Sequence, residues 1–374
     1  MIVRRPLVAS LVIVIGVVAL ASAACGDDSS SSAGAACFDK PTTPAISSDS
    51  VKSAATKGTS ITLVTHDSFA LSDGTLDEFT AQTGIKVELL KSDDAGAMVS
   101  QAVITSGKPI ADVMFGIDNT FLCKALEANV FVPYESPALT NVAKELQLDS
   151  HHRVTPMDIG DVCVNYWKDS FATTKAPASF DDLTKSEFKG QFVTEHPDTS
   201  SPGFAFLLAT IAKYGDKGWE SYWRKLRDND VAVAQGWTEA YSEQFKSGGG
   251  DKSIVTSYAS SPAAEVVFAE GKLTEPPTGV VNETCFRQIE FAGVLRGTQH
   301  PEAAAALVDF LLSDTVQNDI PLNMFVFPAS RSATLPPEFS KHAKLVDKPR
   351  TLDPATIEAN RIDWTERWAK VALR

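Results

Sequence analysis

The sequence predicts an α/β protein with two lobes, and three observations support this prediction. Strand-like runs alternate with helix-like runs through the middle of the 374-residue chain, a pattern typical of a mainly parallel sheet with helices on both faces. The chain is too long for one small core and has the length of two ordinary domains. Strand-like runs at 161–167 and 285–291 leave the first block and return to it. Two such crossings predict a hinge beside a cleft, where ligands commonly bind.

The individual elements follow from local patterns. The β-branched residues of ITLVT at 61–65 favour a strand, Gly84 ends a helix-like run, and Pro301 suits the first turn of a helix. In chain order we predict strands at 61–65, 85–90 and 111–115, and helices at 75–83, 97–105, 120–128, 204–214, 218–227 and 301–312.

Polar runs follow several of the predicted strands. HDSF occupies 66–69 and KSDDAG occupies 91–96, while shorter polar runs lie at 117–119 and 260–262. In an open α/β sheet, ligands bind in the crevice beyond the carboxyl ends of the strands. These runs therefore predict a binding cleft, although ordinary turn chemistry explains each run singly about as well.

The N-terminus predicts export. Two arginines, an apolar run at 7–20 and small residues at 21–24 precede Cys25, which is the pattern of a secretory signal over residues 1–24. The apolar run is shorter than the ~20 residues that a membrane-spanning helix needs. Cys25 stands where a bacterial lipoprotein is acylated, and the Ser, Thr, Ala and Pro-rich stretch at 25–59 predicts a flexible tether. We expect an exported protein anchored by lipid to the outer face of the cytoplasmic membrane.

The charge of the chain excludes some partners. Removing the two signal arginines takes the formal charge from −13 to −15. An acidic chain without a basic run lacks the electrostatic footprint of a nucleic-acid-binding protein, and it is repelled by anionic lipid. Its field favours a cationic ligand only weakly, because salt screens surface charge.

The cysteines predict disulfides rather than a metal site. Apart from Cys25, an exported chain would retain Cys37, Cys123, Cys163 and Cys285, which allow two disulfides in three pairings. The sequence contains no CxxC, so neither a zinc knuckle nor a redox motif is supported, and no metal or other cofactor is predicted.

Eight segments, in order from about Ser60, carry a resemblance to a known family. They are THDSF at 65–69, IADVMFGIDN at 110–119, DTSSPGFAFLL at 198–208, QGWTEAYSEQF at 235–245, IVTSYASSPAA at 254–264, CFRQIEFAGVL at 285–295, VDFLLSDTVQNDIPLNMFVFP at 308–328 and the closing WTERWAKVALR. Together they resemble the thiamine-binding proteins of bacterial ABC importers, in the type II periplasmic binding protein superfamily.

This resemblance implies a type II periplasmic-binding-protein fold, in which each lobe is a mixed sheet flanked by helices and two strands form the hinge. Lobe 1 is expected at 60–160, lobe 2 at 161–286, and the return to lobe 1 with the C-terminal helices at 287–374. The resemblance also implies a monomeric, non-catalytic receptor that binds thiamine or a phosphate ester and delivers it to an ABC permease.

The resemblance further implies a ligand site shared by both lobes. Its residues would be His66, Asp67, Ser68, Asp94, Gly96, Ser200, Ser201, Trp237, Tyr241, Tyr258 and Phe325. The imidazole of His66 replaces a tyrosine that would stack on the aminopyrimidine. Ser200 stands where the hydroxyethyl or phosphate end would bind, before a helix whose first amides favour an anion. The ring of Trp237 would attract a thiazolium by a cation–π interaction of ~0.5–2 kcal/mol. Ala264 and Phe325 replace a tyrosine and a tryptophan, which reduces the ring area of the pocket.

Two other functions remain open at this point. Ferric-ion receptors of the same fold often use adjacent tyrosines, and SYASSP supplies only Tyr258. Thiaminases share the architecture and use a cysteine nucleophile, for which Cys163 is a candidate. A cysteine in an apolar strand of an exported protein is, however, more often in a disulfide.

The two-lobe interpretation also selects one disulfide pairing. Cys163 lies on the strand that enters the second lobe and Cys285 on the strand that leaves it. Neighbouring strands lie ~5 Å apart, within the ~7 Å that a disulfide allows between Cα atoms. We therefore predict the bond Cys163–Cys285, which leaves Cys37 for Cys123.

Overall fold

The structure is a computed structural model that describes residues 36–53 and 58–373. The predicted signal sequence at 1–24 and the acylation candidate Cys25 lie outside the described residues.

Ten strands are present in the described part of the chain. They are β1 (Ser60–Thr65), β2 (Lys86–Lys91), β3 (Val113–Asp118), β4 (Phe131–Val132), β5 (Thr155–Trp167), β6 (Phe192–Glu195), β7 (Ala232–Ala234), β8 (Ile254–Tyr258), β9 (Thr278–Leu295) and β10 (Phe327–Pro328).

Twelve α-helical segments accompany these strands within the same described residues. They are α1 (Ser48–Ser53), α2 (Thr75–Thr83), α3 (Ala95–Ile104), α4 (Leu122–Glu127), α5 (Ser201–Tyr214), α6 (Trp219–Asp228), α7 (Trp237–Glu239), α8 (Ser261–Phe268), α9 (Pro301–Leu311), α10 (Asp314–Asn323), α11 (Pro337–His342) and α12 (Pro354–Ala372). Among the described helices, none has both the length and the apolar character required to cross a bilayer.

The strands form one continuous mixed sheet rather than two separate ones. Its order is β2-β1-β3-β9-β5-β8-β6-β7, with β4 paired to β9 and β10 paired to β5. Pairing is parallel where β1 meets β2 and β3, and where β6 meets β7 and β8. The central strands β5 and β9 are antiparallel to each other and to their outer neighbours. The predicted two-strand connection is therefore a long β-ladder that belongs to both halves.

The predicted elements agree with the structure to within a few residues. The helix predicted at 75–83 is α2, and Gly84 ends it in a left-handed conformation, as a helix C-cap often does. The strand predicted at 111–115 lies instead at Val113–Asp118. The predicted crossings at 161–167 and 285–291 cover only parts of β5 and β9, which extend well beyond them.

Helix α5 occupies the centre of the second half. Its residues from Ser201 to Ile211 are all buried, as expected for a helix that is apolar on nearly every side. Helix α6 is amphipathic and buries Trp219, Tyr222, Trp223 and Leu226, which lie on one face at helical spacing. The ring of Trp223 meets that of Trp368 on α12 at 5.5 Å, so the C-terminal helix is packed onto the second half.

The structure corrects the predicted tether at 25–59 for the part that it describes. Cys37 is fully buried, and its carbonyl accepts a hydrogen bond from Arg153 at 2.9 Å. Ile46 forms a parallel bridge with Tyr134, and α1 packs against α9. The low apolar content of this stretch suggested a flexible chain, but a few buried groups and a cross-link are enough to attach it.

Two disulfides link distant parts of the chain. Cys37 is bonded to Cys123, with Cα atoms 5.0 Å apart, and Cys163 is bonded to Cys285, with Cα atoms 4.2 Å apart. These are the pairs that the two-lobe interpretation predicts. The second bond joins β5 to β9 because these neighbouring strands are the two crossings.

Candidate functional site

A cleft of about 860 Å³ is lined by residues from both halves of the sheet. Its lining comes from the chain after β1, the first residues of α3 and α5, the segment around α7, the end of β8, helix α8, strand β9 and the end of α10. Nine predicted site residues line it, namely His66, Asp67, Ser68, Asp94, Ser201, Trp237, Tyr241, Tyr258 and Phe325. Three of the four polar runs that follow predicted strands, at 66–69, 91–96 and 260–262, therefore contribute to one cavity, whereas the run at 117–119 does not line it.

The structure corrects the expected direct contact for Gly96 and Ser200, which do not line the cleft. A Cβ atom at Gly96 would lie 2.7 Å from the carbonyl oxygen of Asp198, so glycine is needed for close packing there. Ser200 is fully buried, and its hydroxyl accepts a hydrogen bond from the amide of Gly203 as the N-cap of α5. Both residues support the cleft from behind.

Asp94 occupies the meeting point of three helix N-termini. Its carboxylate accepts hydrogen bonds from the amides of Ala95 at 2.6 Å, Trp237 at 2.9 Å and Ser201 at 3.4 Å. Helix N-terminal amides attract anions, and here the anion is a side chain of the protein itself. Burial raises the pKa of Asp94, and the hydrogen bonds oppose that rise. The carboxylate of Asp94 thus accepts hydrogen bonds from some of the helix N-terminal amides that the sequence suggested for a ligand phosphate.

His66 lies buried on one side of the cleft. Its Nδ1 atom is 2.9 Å from the hydroxyl of Ser68, and its Nε2 atom is 3.8 Å from Oε2 of Glu290. Burial by itself would lower the pKa of His66, but the carboxylates of Glu290, Asp94 and Asp67 outweigh it and raise the pKa. The imidazole is therefore held in an acidic environment.

Gly116 makes room for this imidazole. It lies at a register shift in the pairing of β3 with β9, with φ at +100°. A Cβ atom at this position would lie 2.2 Å from Cδ2 of His66. A side chain here would therefore clash with the ring and strain the backbone.

Three carboxylates lie side by side across neighbouring strands, and we call them the carboxylate row. Asp118 on β3 and Asp158 on β5 are both register partners of Glu290 on β9, so their side chains share one face of the sheet. Burial raises the pKa of Asp118 to about 7, although the amide and hydroxyl of Thr120 donate to its carboxylate. Burial, and then the charge of Glu290, raises the pKa of Asp158 strongly. Glu290 is the member that lines the cleft.

Three aromatic residues form what we call the aromatic wall, namely Trp237, Tyr241 and Tyr258. The rings of Trp237 and Tyr241 stack with centroids 4.9 Å apart and planes 13° apart, and the ring of Tyr258 lies 6.5 Å from Trp237. Trp237 Nε1 donates to the hydroxyl of Ser257 at 2.9 Å, and the hydroxyl of Tyr241 donates to Glu265. The polar atoms of Trp237 and Tyr241 are thus satisfied within the protein.

Phe325 combines packing with exposure to the cleft. It follows α10 with φ at +55°, a conformation that is uncommon for a bulky residue. Its ring meets that of Phe268 at 4.7 Å and packs against the small apolar cluster around Phe339. Phe325 therefore lines the cleft and contributes to local packing at the same time.

Sequence reasoning missed Glu290, which the structure places beside His66. The available signal was the alternation in RQIEF, where Gln288 and Glu290 occupy one face of an otherwise apolar strand. Its partners Asp118 and Asp158 could not be assigned from local sequence, because their proximity depends on the register of β3, β5 and β9. Of the residues that the structure describes, no group of three or more His, Cys, Asp or Glu side chains is arranged to hold a metal ion.

Comparison with known proteins identifies the family. Residues 108–360 match the model described as "Bacterial extracellular solute-binding protein". The chain belongs to this family. It is 29% identical over 322 residues to the thiamine-binding periplasmic protein of Escherichia coli strain K12, covering 84% of this chain and 94% of that protein. The corresponding protein of Haemophilus influenzae is 26% identical over 294 residues, covering 74% of this chain and 80% of the relative.

Solved structures agree with this assignment. A periplasmic thiamin binding protein matches with a TM-score of 0.74 at 26% identity, covering 89% of this chain and 100% of that chain. A ferric binding protein from Campylobacter jejuni matches with a TM-score of 0.67 at 16% identity, covering 83% and 99% of the two chains, which indicates a shared fold. The predicted fold class and membership of a bacterial solute-binding family are confirmed, and the resemblance to thiamine-binding proteins is found again among the relatives.

Proposed function

We propose that this solute-binding protein captures thiamine or one of its phosphate esters in the cleft and delivers it to an ABC importer. The observation that carries the proposal is that one cleft contains both an exposed face of the aromatic wall and the carboxylate of Glu290. Thiamine is a flat heterocycle joined to a thiazolium cation, and it suits a cleft that offers ring faces and negative charge. The named relatives and the solved thiamin-binding neighbour support the same ligand.

The aromatic wall suits the cationic ring. Trp237 is half-buried, so one part of its indole is packed on Tyr241 while another part lines the cleft. A cation over an indole face is stabilised by about 0.5–2 kcal/mol, depending on how far it is desolvated. The acidic side chains that line the same cleft outnumber its lysine, Lys91, and add attraction for a positive ligand; they are Asp67, Asp94, Asp169, Glu265 and Glu290.

We further propose that the protein is a monomeric receptor without catalytic activity, held to the outer face of the cytoplasmic membrane by a lipid on Cys25. The cysteine that a thiaminase-like mechanism would need, Cys163, is bonded to Cys285 and is unable to act as a nucleophile in that state. The relatives named above are binding proteins, which supports a receptor rather than an enzyme.

Calorimetry tests the ligand. The mature protein is titrated with thiamine, thiamine monophosphate and thiamine diphosphate, and with ferric citrate as the alternative for this fold. We expect saturable binding of at least one thiamine form together with quenching of tryptophan fluorescence. The proposal fails if no thiamine form produces heat or quenching, or if only iron binds. Cleavage of thiamine in the presence of an added nucleophile would instead indicate an enzyme.

A further inference from the structure

One oxygen of Glu290 faces a gap. Its Oε1 atom accepts a hydrogen bond from Gln288 Nε2 at 3.2 Å, whereas its Oε2 atom lies 3.8 Å from His66 Nε2, too far for a hydrogen bond. Both residues are more than nine-tenths buried, and both line the cleft. Among the described residues His66 Nε2 has no hydrogen-bond partner. A buried polar atom without a partner is costly unless a ligand or water completes it.

Two buried carboxyl groups, Asp158 and Asp118, flank Glu290 on the neighbouring strands. Asp158 is fully buried, and burial together with the charge and the neighbouring carboxyl of Glu290 raises its pKa, which favours the neutral form. A neutral Asp158 removes the like-charge repulsion that Glu290 would otherwise meet from the same face of the sheet. On its other side, Asp118 is held by donors from Thr120 and by Gln288 Nε2 at 3.0 Å.

We propose that Glu290 and His66 form a subsite for the proton-donating edge of an aminopyrimidine-type ring, with an N–H of the ring donating to Glu290 Oε2. This inference rests on the proposed function and adds to it Glu290, a hydrogen-bond acceptor that the family resemblance did not include. The cationic thiazolium then lies toward the aromatic wall. A site that binds an N–H group through a buried acceptor discriminates strongly against an analogue that lacks the group, because the acceptor is then left unpaired.

The subsite is sensitive to the protonation of His66. The titratable groups that face His66 and Glu290 from the surrounding elements are Asp67, Asp94, Asp118, Asp158 and Tyr258. A protonated imidazole competes with the ligand for the charge of Glu290, and deprotonation makes that charge available. Binding through this subsite therefore strengthens as the pH rises through the titration range of His66.

A cycle of two proteins and two ligands tests the proposal. The wild type and Glu290→Gln are titrated with thiamine and with an analogue that has hydrogen in place of the pyrimidine amino group. We expect Glu290→Gln to bind thiamine at least tenfold more weakly and to bind the analogue within threefold of the wild type. The pH dependence of thiamine binding should also be smaller in Glu290→Gln.

A matched variant controls for the loss of a buried carboxylate. Glu195→Gln changes a fully buried glutamate at the end of β6 that does not line the cleft, and it should bind thiamine within twofold of the wild type. The subsite is excluded if Glu290→Gln keeps its melting temperature and binds thiamine as tightly as the wild type. It is also excluded if Glu290→Gln and Glu195→Gln weaken binding equally.

If the proposed function is wrong, the titrations give a result that differs from failure of the subsite alone. If the wild type binds no thiamine form, thiamine is the wrong ligand, and the same variants are titrated with 4-amino-5-hydroxymethyl-2-methylpyrimidine alone. Binding of this fragment to the wild type, weakened at least tenfold in Glu290→Gln, supports the subsite without thiamine. No binding of the fragment excludes it.

Discussion

The aromatic wall and one member of the carboxylate row, Glu290, line the same cleft, but their polar atoms are paired in different ways. Two residues of the wall have their polar atoms paired inside the protein, since Trp237 donates to Ser257 and Tyr241 donates to Glu265. On the other side, Nε2 of His66 is buried without a hydrogen-bond partner among the described residues and lies 3.8 Å from Oε2 of Glu290. The aromatic wall is therefore preorganised, whereas Glu290 and His66 retain charge and hydrogen-bonding capacity that a ligand in the cleft can use.

Because of this difference, we expect the aromatic wall to contribute affinity and the buried acceptor to contribute selectivity. A preorganised ring stack provides contact area at little entropic cost, so it contributes affinity for any flat ligand of suitable size. A buried acceptor without a donor favours ligands that bring one, so it contributes discrimination. Four predictions test this division of roles, in order of decreasing effect.

The largest effect concerns the cross-link between β5 and β9, the strands that carry Asp158 and Glu290. Replacing Cys163 and Cys285 together by alanine should lower the free energy of unfolding by roughly 4–5 kcal/mol in the chain-entropy model, because the bond closes a loop of 122 residues. Thiamine affinity should change by less than about threefold, since β-ladder hydrogen bonds still align the two strands. Denaturant unfolding and calorimetry measure the two quantities.

The double alanine variant of Cys37 and Cys123 is the control for this experiment. That bond closes a loop of 86 residues, and because the loop length enters only as a logarithm, the expected loss of stability is again roughly 4–5 kcal/mol. A large loss of affinity in the Cys163 and Cys285 variant alone would indicate that the cross-link, rather than the sheet, positions the carboxylate row.

The next effect concerns the aromatic wall. Trp237→Ala should weaken thiamine binding by about 1–3 kcal/mol, as removal of a buried aromatic anchor commonly does. Trp237→Phe keeps a ring on Tyr241 but loses the hydrogen bond to Ser257, so its loss should be smaller. Calorimetry with each variant gives the affinities, and Trp364→Phe on α12 controls for the loss of an indole elsewhere. Equal affinities for Trp237→Ala and the wild type would remove Trp237 from the binding surface.

A smaller effect concerns stability and pH. The pKa of Asp158 is raised in the folded state, so this residue favours folding less and less as the pH rises above its unfolded value. Asp158→Asn removes the ionisable group and should raise the melting temperature at pH 8 by about 1–2 °C, for a gain of about 1 kcal/mol, with a smaller change at pH 5. Scanning calorimetry at both pH values measures this.

Asp161→Asn on the same strand provides a comparison of opposite sign. Asp161 is buried but paired with Arg287, whose Nε lies 2.5 Å from its carboxylate, so its loss should lower the melting temperature at pH 8. If both variants were destabilised at pH 8, burial of Asp158 would not be the unfavourable feature that we infer.

The smallest effect concerns His66. The folded-state pKa of His66 is raised, so the protonated form stabilises the fold below the unfolded value, and this contribution is lost as the pH rises through the folded value. The same protonation places a charge near a cationic ligand, and affinity should fall by about 1 kcal/mol, roughly fivefold, as the pH drops through this range. His66→Tyr should flatten the profile and restore binding at low pH. An unchanged profile in this variant would exclude His66 as the titrating group.

The sequence by itself determined the fold class, most element positions and nine of the residues that line the cleft. Strand and helix patterns depend on neighbours a few residues away, so Gly84 and Pro301 could be interpreted where they stand. The run HDSF at 66–69 could be placed at a strand end for the same reason. The disulfide pairs could also be anticipated, since two strands that cross together must be neighbours.

Only the tertiary structure decided how the site is completed. The carboxylate row exists because the register of β3, β9 and β5 brings together Asp118, Glu290 and Asp158, which are far apart in the chain. Whether a residue such as Ser200 contacts the cleft or caps a helix behind it likewise depends on the packing of α5. Sequence patterns indicate local conformation and burial. The distances between charged and hydrogen-bonding groups at a site depend instead on strand register and on helix packing between segments that are remote in the chain.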